Sequence, residues 1–140
     1  MSGENYSSIK NKITVIQNLD ALQNLETLRL DYNCISEIKN LVKLVNLKTL
    51  YLNNNKISDL SGFKVLPGLK KLVLDSNEIT SIEPLKECKN LKNLSLNFNK
   101  ITDLTPLKQL PNLEYLRVDH NPIPEEEYLE FAEKYESEFL

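Results

Sequence analysis

The stretch LVKLVNLKTLYLNNNKISDLSG, residues 41–62, decides the fold because it recurs. Shifted by 22 residues, the chain matches itself. LDALQNLETLRLDYNCISEIKN (19–40), FKVLPGLKKLVLDSNEITSIEP (63–84), LKECKNLKNLSLNFNKITDLTP (85–106) and LKQLPNLEYLRVDHNPIPEEEY (107–128) align with it without a gap. A period of this length marks a stack of small units, each able to bury its apolar face only against its neighbours. Numbered from the start of each unit, position seven is Leu25, Leu47, Leu69, Leu91 and Leu113, and position ten is Leu28, Leu50, Leu72, Leu94 and Leu116. Position twelve is Leu30, Leu52, Leu74, Leu96 and Val118, and position seventeen is Ile35, Ile57, Ile79, Ile101 and Ile123. The two-residue alternation at positions ten and twelve predicts one short strand per unit, and stacked strands make a parallel sheet.

One polar column runs through this apolar frame. Asn33, Asn55, Asn77, Asn99 and Asn121 stand at position fifteen, where the chain leaves the strand. Stacked amides there can cap backbone groups of their own coil and of the next. After it, Ser36, Ser58, Thr80 and Thr102 at position eighteen suit the first turn of a short helix or 3₁₀ segment, so the return path is expected to be helical and short. Pro67, Pro84, Pro106 and Pro111 fall in that return path, away from the strands.

The pattern LxxLxxLxLxxNxIxxI resembles the leucine-rich repeat in its 22-residue class, and segments such as ISDL and ITDLTPL are similar to repeats of the protein phosphatase 1 regulatory subunit and of bacterial internalins. The resemblance implies an α/β fold: a right-handed solenoid with a concave parallel β-sheet, a convex face of short helical or 3₁₀ segments, and a C-terminal capping helix. It also implies a protein-binding module, an adaptor or scaffold, with a regulatory subunit of an enzyme such as a phosphatase as the alternative.

The expected organisation is a single domain with a partial repeat or cap at 1–18, five repeats over 19–123 and a capping helix at 124–140. Upstream, Asn11, Ile13 and Ile16 repeat the second half of a unit, but Tyr6 and Ser8 replace its strand leucines, so the N-terminal edge is thinly covered and is the expected route for any self-association of an otherwise monomeric chain. Downstream, Tyr128, Phe131, Ala132, Tyr135 and Phe139 recur at helical spacing behind Pro124 and three glutamates.

The formal charge of −3 is uneven: residues 125–140 carry seven Glu and one Lys, leaving a body of +3. So weak a basic balance argues against a nucleic-acid partner. No apolar run reaches the roughly 18 residues that span a bilayer, so no membrane partner is expected. Cys34 and Cys88 lie more than two repeats apart, too far for a disulfide, which favours a reducing compartment and places the chain in the cytoplasm, with the nucleus as alternative. The lone histidine, His120, has no matching nucleophile or metal-ligand partner, and three glycines form no phosphate loop. No catalysis, metal or cofactor is expected.

The positions freed from packing define the expected concave binding face. They include Arg29, Tyr51, Val73 and Arg117 at position eleven, Asn53 and Asp75 at position thirteen, Tyr32, Phe98 and His120 at position fourteen, and Tyr115 nearby. Aromatic and Arg anchors beside orienting polar groups match the composition of protein interfaces. Against this stands the observation that single exposed aromatics are ordinary on any surface. Lysines at position two (Lys64, Lys86, Lys108) and position eight (Lys48, Lys70, Lys92) are expected on the opposite, solvated side.

Overall fold

The structure is a computed structural model that describes residues 12–63 and 66–135. Its strands are β1 Thr27–Arg29, β2 Thr49–Tyr51, β3 Lys71–Val73, β4 Asn93–Ser95 and β5 Tyr115–Arg117. They form one parallel sheet in sequential order, with Leu28, Leu50, Leu72, Leu94 and Leu116 in register. The central residue of β2 to β5 points into a single core with the leucines and isoleucines of positions four, seven, twelve and seventeen. Leu50, Leu72, Leu47 and Leu52 are wholly or almost wholly buried, whereas Leu25, Leu28 and Leu30 of the first unit are only partly so. Cys88 fills a position-four core slot, and burial pushes its thiol up to about 11.

Strands of three residues supply few ladder bonds; backbone bonds on either side of them continue the pairing between coils, and the buried asparagines bond the groups at the turn that follows. The Asn77 Oδ1 accepts from the Ile57 N–H of the preceding unit at 3.0 Å, while its Nδ2 donates to Leu52 O of that unit and to Leu74 O of its own, both at 3.0 Å. Asn55, Asn99 and Asn121 repeat the arrangement one unit back or forward, taking N–H groups from Ile35, Ile79 and Ile101. Asn33 takes the Ile13 N–H, so the upstream half-unit joins the same ladder. On the way out of each turn, Cys34, Lys56, Glu78 and Lys100 donate backbone bonds to the position-seventeen carbonyl of the previous coil. Asn11, Tyr6, Ser8, Lys64 and Phe139 lie outside the described residues.

A second asparagine column, unanticipated from the sequence, runs along the return path at position six. Asn46, Asn90 and Asn112 each donate 2.8 Å bonds to the previous coil, at Gln23 O, Pro67 O and Lys89 O. Gly68 interrupts the column, and a Cβ there would lie 3.2 Å from Leu47 O and 3.5 Å from Val45 O.

The return path is less helical than expected. Described 3₁₀ segments occur only at Glu83–Glu87 and Thr105–Gln109, each with Pro at its first turn, where the fixed φ of Pro84 and Pro106 favours that geometry. Where Asn40 stands instead, it takes a left-handed φ of 59° and the chain turns without a helix. Nor do the position-eighteen hydroxyls cap these segments, whose N-caps are Ile82 and Leu104 without a side-chain bond. Position nineteen does the local work: Asp59 and Asp103 accept the backbone N–H and hydroxyl of Ser61 and Thr105, and these bonds hold both carboxyls below the usual range.

The C-terminal helix, α1, spans Glu125–Lys134, with Pro124 at its N-cap and three glutamates in its first turn. Phe131 and Tyr135 are buried against the last unit, and Tyr128 packs beside them. The Glu127 carboxylate accepts the Leu104 N–H at 2.7 Å, and Glu130 pairs with Lys108 at 2.9 Å. The position-eight lysines are exposed to solvent, and two of them are paired along the column, Lys48 with Glu26 and Lys92 with Glu114.

Four outcomes follow for stability and reactivity. Asn77→Ala strands buried groups on two coils and should cost about 3 kcal/mol in urea unfolding; a loss below about 1 kcal/mol would mean the ladder is decorative. Gly68→Asn, which places an amide beside Val45 O in the slot other units fill with Asn, should gain about 0.5–1 kcal/mol, and a net loss would show that the Leu47 carbonyl cannot give way. Above the ordinary thiol range the unfolded chain ionises Cys88 before the folded chain does. Its contribution to stability is therefore full below pH 9.0 and declines as pH rises towards about 11. Thiol titration at neutral pH should label Cys34 first and Cys88 only on denaturation, and equal rates would contradict its burial.

Candidate functional site

In a three-residue strand whose middle side chain enters the core, the two flanking side chains face outward. Positions nine and eleven therefore build the concave face. Tyr51 sits near its middle, half-buried, with the Arg29 guanidinium over its ring at 3.9 Å and the Lys71 ammonium at 5.2 Å on the neighbouring strand. Cation–ring contacts of this kind hold a large aromatic in place without burying it. A depression of about 350 Å³ opens beside it, lined among others by Tyr51, Lys71, Val73, Asp75, Tyr115 and Arg117. Tyr115 is 58% exposed, whereas Val73 is 8% exposed and serves as floor.

Position thirteen is less free than its outward register suggested. Asp31 accepts the Asn53 N–H at 3.0 Å, Asp75 accepts both the Asn97 N–H and the Ser95 hydroxyl, and Asn97 accepts the Asp119 N–H. These side chains form a third inter-unit ladder along the rim. It breaks at Asn53, whose Oδ1 is buried without a hydrogen-bond partner. Asp119 accepts instead from the Tyr128 hydroxyl at 2.9 Å; burial, and then this bond, raises the phenol's pKa and ties the capping helix to the sheet rim.

Position fourteen forms a separate row. Tyr32, Asn54, Ser76, Phe98 and His120 all adopt left-handed backbone, with φ between 55° and 57°. They lie in the turn beyond the strands, where Tyr32 and Phe98 donate backbone bonds to Asn53 O and Asp119 O. Phe98 and His120 stack at 4.1 Å between ring centroids and 15° between planes. Tyr32 and Phe98 are more than half exposed. The ten expected interface residues thus divide: Arg29, Tyr51, Val73, Tyr115 and Arg117 gather on the floor and walls of the concave face, Tyr32, Phe98 and His120 stand along its edge, Asp75 borders the depression while its carboxylate carries the rim ladder, and Asn53 sits at the ladder's break with its side-chain oxygen buried. Lys71 was overlooked, although counting two residues back from Tyr51's position in the next unit reaches it.

Among the described residues no group of three His, Cys, Asp or Glu side chains is close enough to hold a metal, and no helix is long and apolar enough to cross a membrane. Cys34 is half-buried and Cys88 buried, neither in a disulfide.

Two family models for leucine-rich repeats match, one over residues 45–87 and one over 67–123, together more than half of the chain. No curated protein sequence matches. Solved structures do: a leucine-rich-repeat protein of Leptospira interrogans has a TM-score of 0.77 at 26% identity, over 92% of this chain and 37% of that one. An internalin of Listeria monocytogenes gives 0.62 at 26% identity, over 83% of this chain and 42% of that one. The SNF/U2A′ complex of Drosophila melanogaster gives 0.67 at 28% identity, over 89% of this chain and 78% of the matched chain. The chain spans less than half the length of the two bacterial proteins. The repeat, the sequential parallel sheet and these matches place the chain in the leucine-rich repeat superfamily.

Proposed function

We propose that the chain is a protein-binding module that takes its partner on the concave face and has no catalytic role of its own. The observation that carries this is the placement of large side chains where the fold does not ask for them. Left-handed backbone suits Asn, as at Asn54, yet two other units hold Tyr32 and Phe98 there, more than half exposed. A β-carbon costs about 1 kcal/mol or more in that geometry, a cost that the short amide of Asn offsets by local hydrogen bonding and that an exposed ring does not. Tyr51 and Tyr115, kept out of the core beside a depression of about 350 Å³, extend the same pattern to the floor. Aromatic and Arg side chains grouped on a concave surface match the residues that dominate binding energy at interfaces. The complex in which one similar chain was solved supports a protein partner by analogy. The two reduced cysteines support a cytoplasmic site of action.

Two outcomes test this. Tyr32→Asn should leave the protein as stable or up to about 1 kcal/mol more stable in urea unfolding, whereas a loss of that size would show that the ring serves the fold. Tyr51→Ala with Tyr115→Ala should abolish recovery of the native partner by affinity purification while the circular dichroism spectrum is retained; undiminished recovery would remove the concave face from the site. A recovered enzyme whose turnover changes on binding would make the module a regulatory subunit.

A further inference from the structure

We infer that the open N-terminal end of the solenoid is an interface between two copies of this chain, which meet about a two-fold axis with their β1 strands antiparallel. The inference is independent of what the concave face binds.

The observation that carries it is a cross-section of the core left bare at one end. Position four is Leu44, Leu66, Cys88 and Leu110 in the later units, all 3% exposed or less, whereas Leu22 of the first unit is 47% exposed. Position seventeen repeats this: Ile35, Ile57, Ile79 and Ile101 are wholly buried, and Ile13 of the upstream half-unit is 43% exposed. Leu25, Leu28 and Leu30 are only partly covered. The first member of each column lacks the preceding coil that covers the others. Beside them, position nineteen is polar in the units as Glu37, Asp59, Ser81 and Asp103, yet it is Val15 in the half-unit, 42% exposed. A contiguous apolar surface of this kind marks a contact surface.

The charges of the two ends say what fits there. At the C-terminal end α1 closes the last coil with Phe131 and Tyr135 and carries five glutamates against one lysine, which blocks head-to-tail stacking of copies. The N-terminal rim is balanced. Arg29 pairs with Asp31, Lys39 with Glu37 and Lys48 with Glu26, and the exposed Lys12 and Asp20 are of opposite sign. Two such ends meet without like-charge repulsion, as a self-complementary surface must. β1 supplies the register, since it is an edge strand of the described sheet. In the second unit the Thr49 N–H donates back to Glu26 O, and Tyr51 O accepts the Leu30 N–H. The repeat therefore turns the matching groups of the first unit, the Thr27 N–H and the Arg29 carbonyl, towards the open edge, where they can template another strand. Antiparallel pairing about an axis normal to the sheet keeps the inward leucines of both copies on one side, so the cores meet as the strands pair. Each open end is used once, which gives a closed dimer. With six apolar side chains at its centre the contact falls short of the roughly 20–30 residues a side of a standard interface, which sets its affinity in the micromolar range.

Sedimentation equilibrium of the full chain tests the inference. The mass should rise from 16.2 kDa towards twice that value as concentration passes through the micromolar range. The Thr27 amide should gain protection from hydrogen exchange over the same range. Val15→Glu, which gives the half-unit the acidic residue that Glu37 supplies one coil later, should weaken the dimer at least about tenfold while leaving the urea midpoint little changed. Leu22→Glu should weaken it further, and Val15→Glu covers the case in which a charge at a core column disturbs folding. A mass that grows past two copies, or a dimer indifferent to Val15→Glu, overturns the inference. A chain that stays monomeric also overturns it, and a loss of stability on removing residues 1–11 would then assign the bare end to that segment. A dimer lost with Tyr51→Ala plus Tyr115→Ala overturns it by placing the contact on the concave face.

Discussion

The interaction on which the structure depends is the bond set of one buried amide. At Asn55, Asn77, Asn99 and Asn121 a single side chain accepts a backbone N–H from the unit before it and donates to carbonyls of both units. A chain that turns sharply after a three-residue strand leaves donors and acceptors that no regular ladder can reach, and leaving them bare beside an apolar core is costly. The amide answers this with one acceptor and two donors in the spacing that the repeat presents. It also fixes the register, since sliding one coil by a residue would break every bond at once. The leucines then pack because the coils are held at strand spacing, and the core follows from the ladder as much as it drives it.

Once backbone bonding is handled inside the coil, the outward side chains of the strands carry little structural duty, and the concave face is free to differ from unit to unit. That freedom has graded limits. Positions nine and eleven are the least constrained, and there Tyr51, Lys71, Tyr115 and Arg117 gather about the depression. Position thirteen is claimed by bonds along the rim. Position fourteen is claimed by the backbone, whose left-handed turn suits a short side chain that can hydrogen-bond locally, as Asn54 can, so the aromatic rings retained there stand out from the demands of the fold. The ends are held by different means: the capping helix closes the last unit with Phe131 and Tyr135, while Leu25, Leu28 and Leu30 of the first unit are less deeply covered than their counterparts.

Much of this was readable from the sequence because the repeat compares each position with four others. The leucine and isoleucine columns, the asparagine at position fifteen, the buried Cys88 and the helix behind Pro124 follow from that comparison. What escaped was whatever depends on geometry the residue type does not announce. The position-six asparagines look like ordinary surface polar groups until their carbonyl partners on the previous coil are seen. Left-handed backbone at Tyr32, Phe98 and His120 is masked by residues that seldom adopt it. Asp31 and Asp75 share their alternation with true surface residues, and only the bonds they accept distinguish them. The 3₁₀ segments required Pro84 and Pro106, a condition the hydroxyl column did not supply.

Hydrogen exchange at the position-seventeen amides tests the ladder most directly, because the N–H groups of Ile35, Ile57, Ile79 and Ile101 have an asparagine side chain as their partner in place of a backbone carbonyl. If the amide ladder holds the coils together, these four exchange only through the same global opening as the strand amides of Leu50, Leu72 and Leu94, with matching dependence on denaturant. Exchange through local opening, faster than the strands and insensitive to denaturant, would show that the coils are held by their apolar core alone.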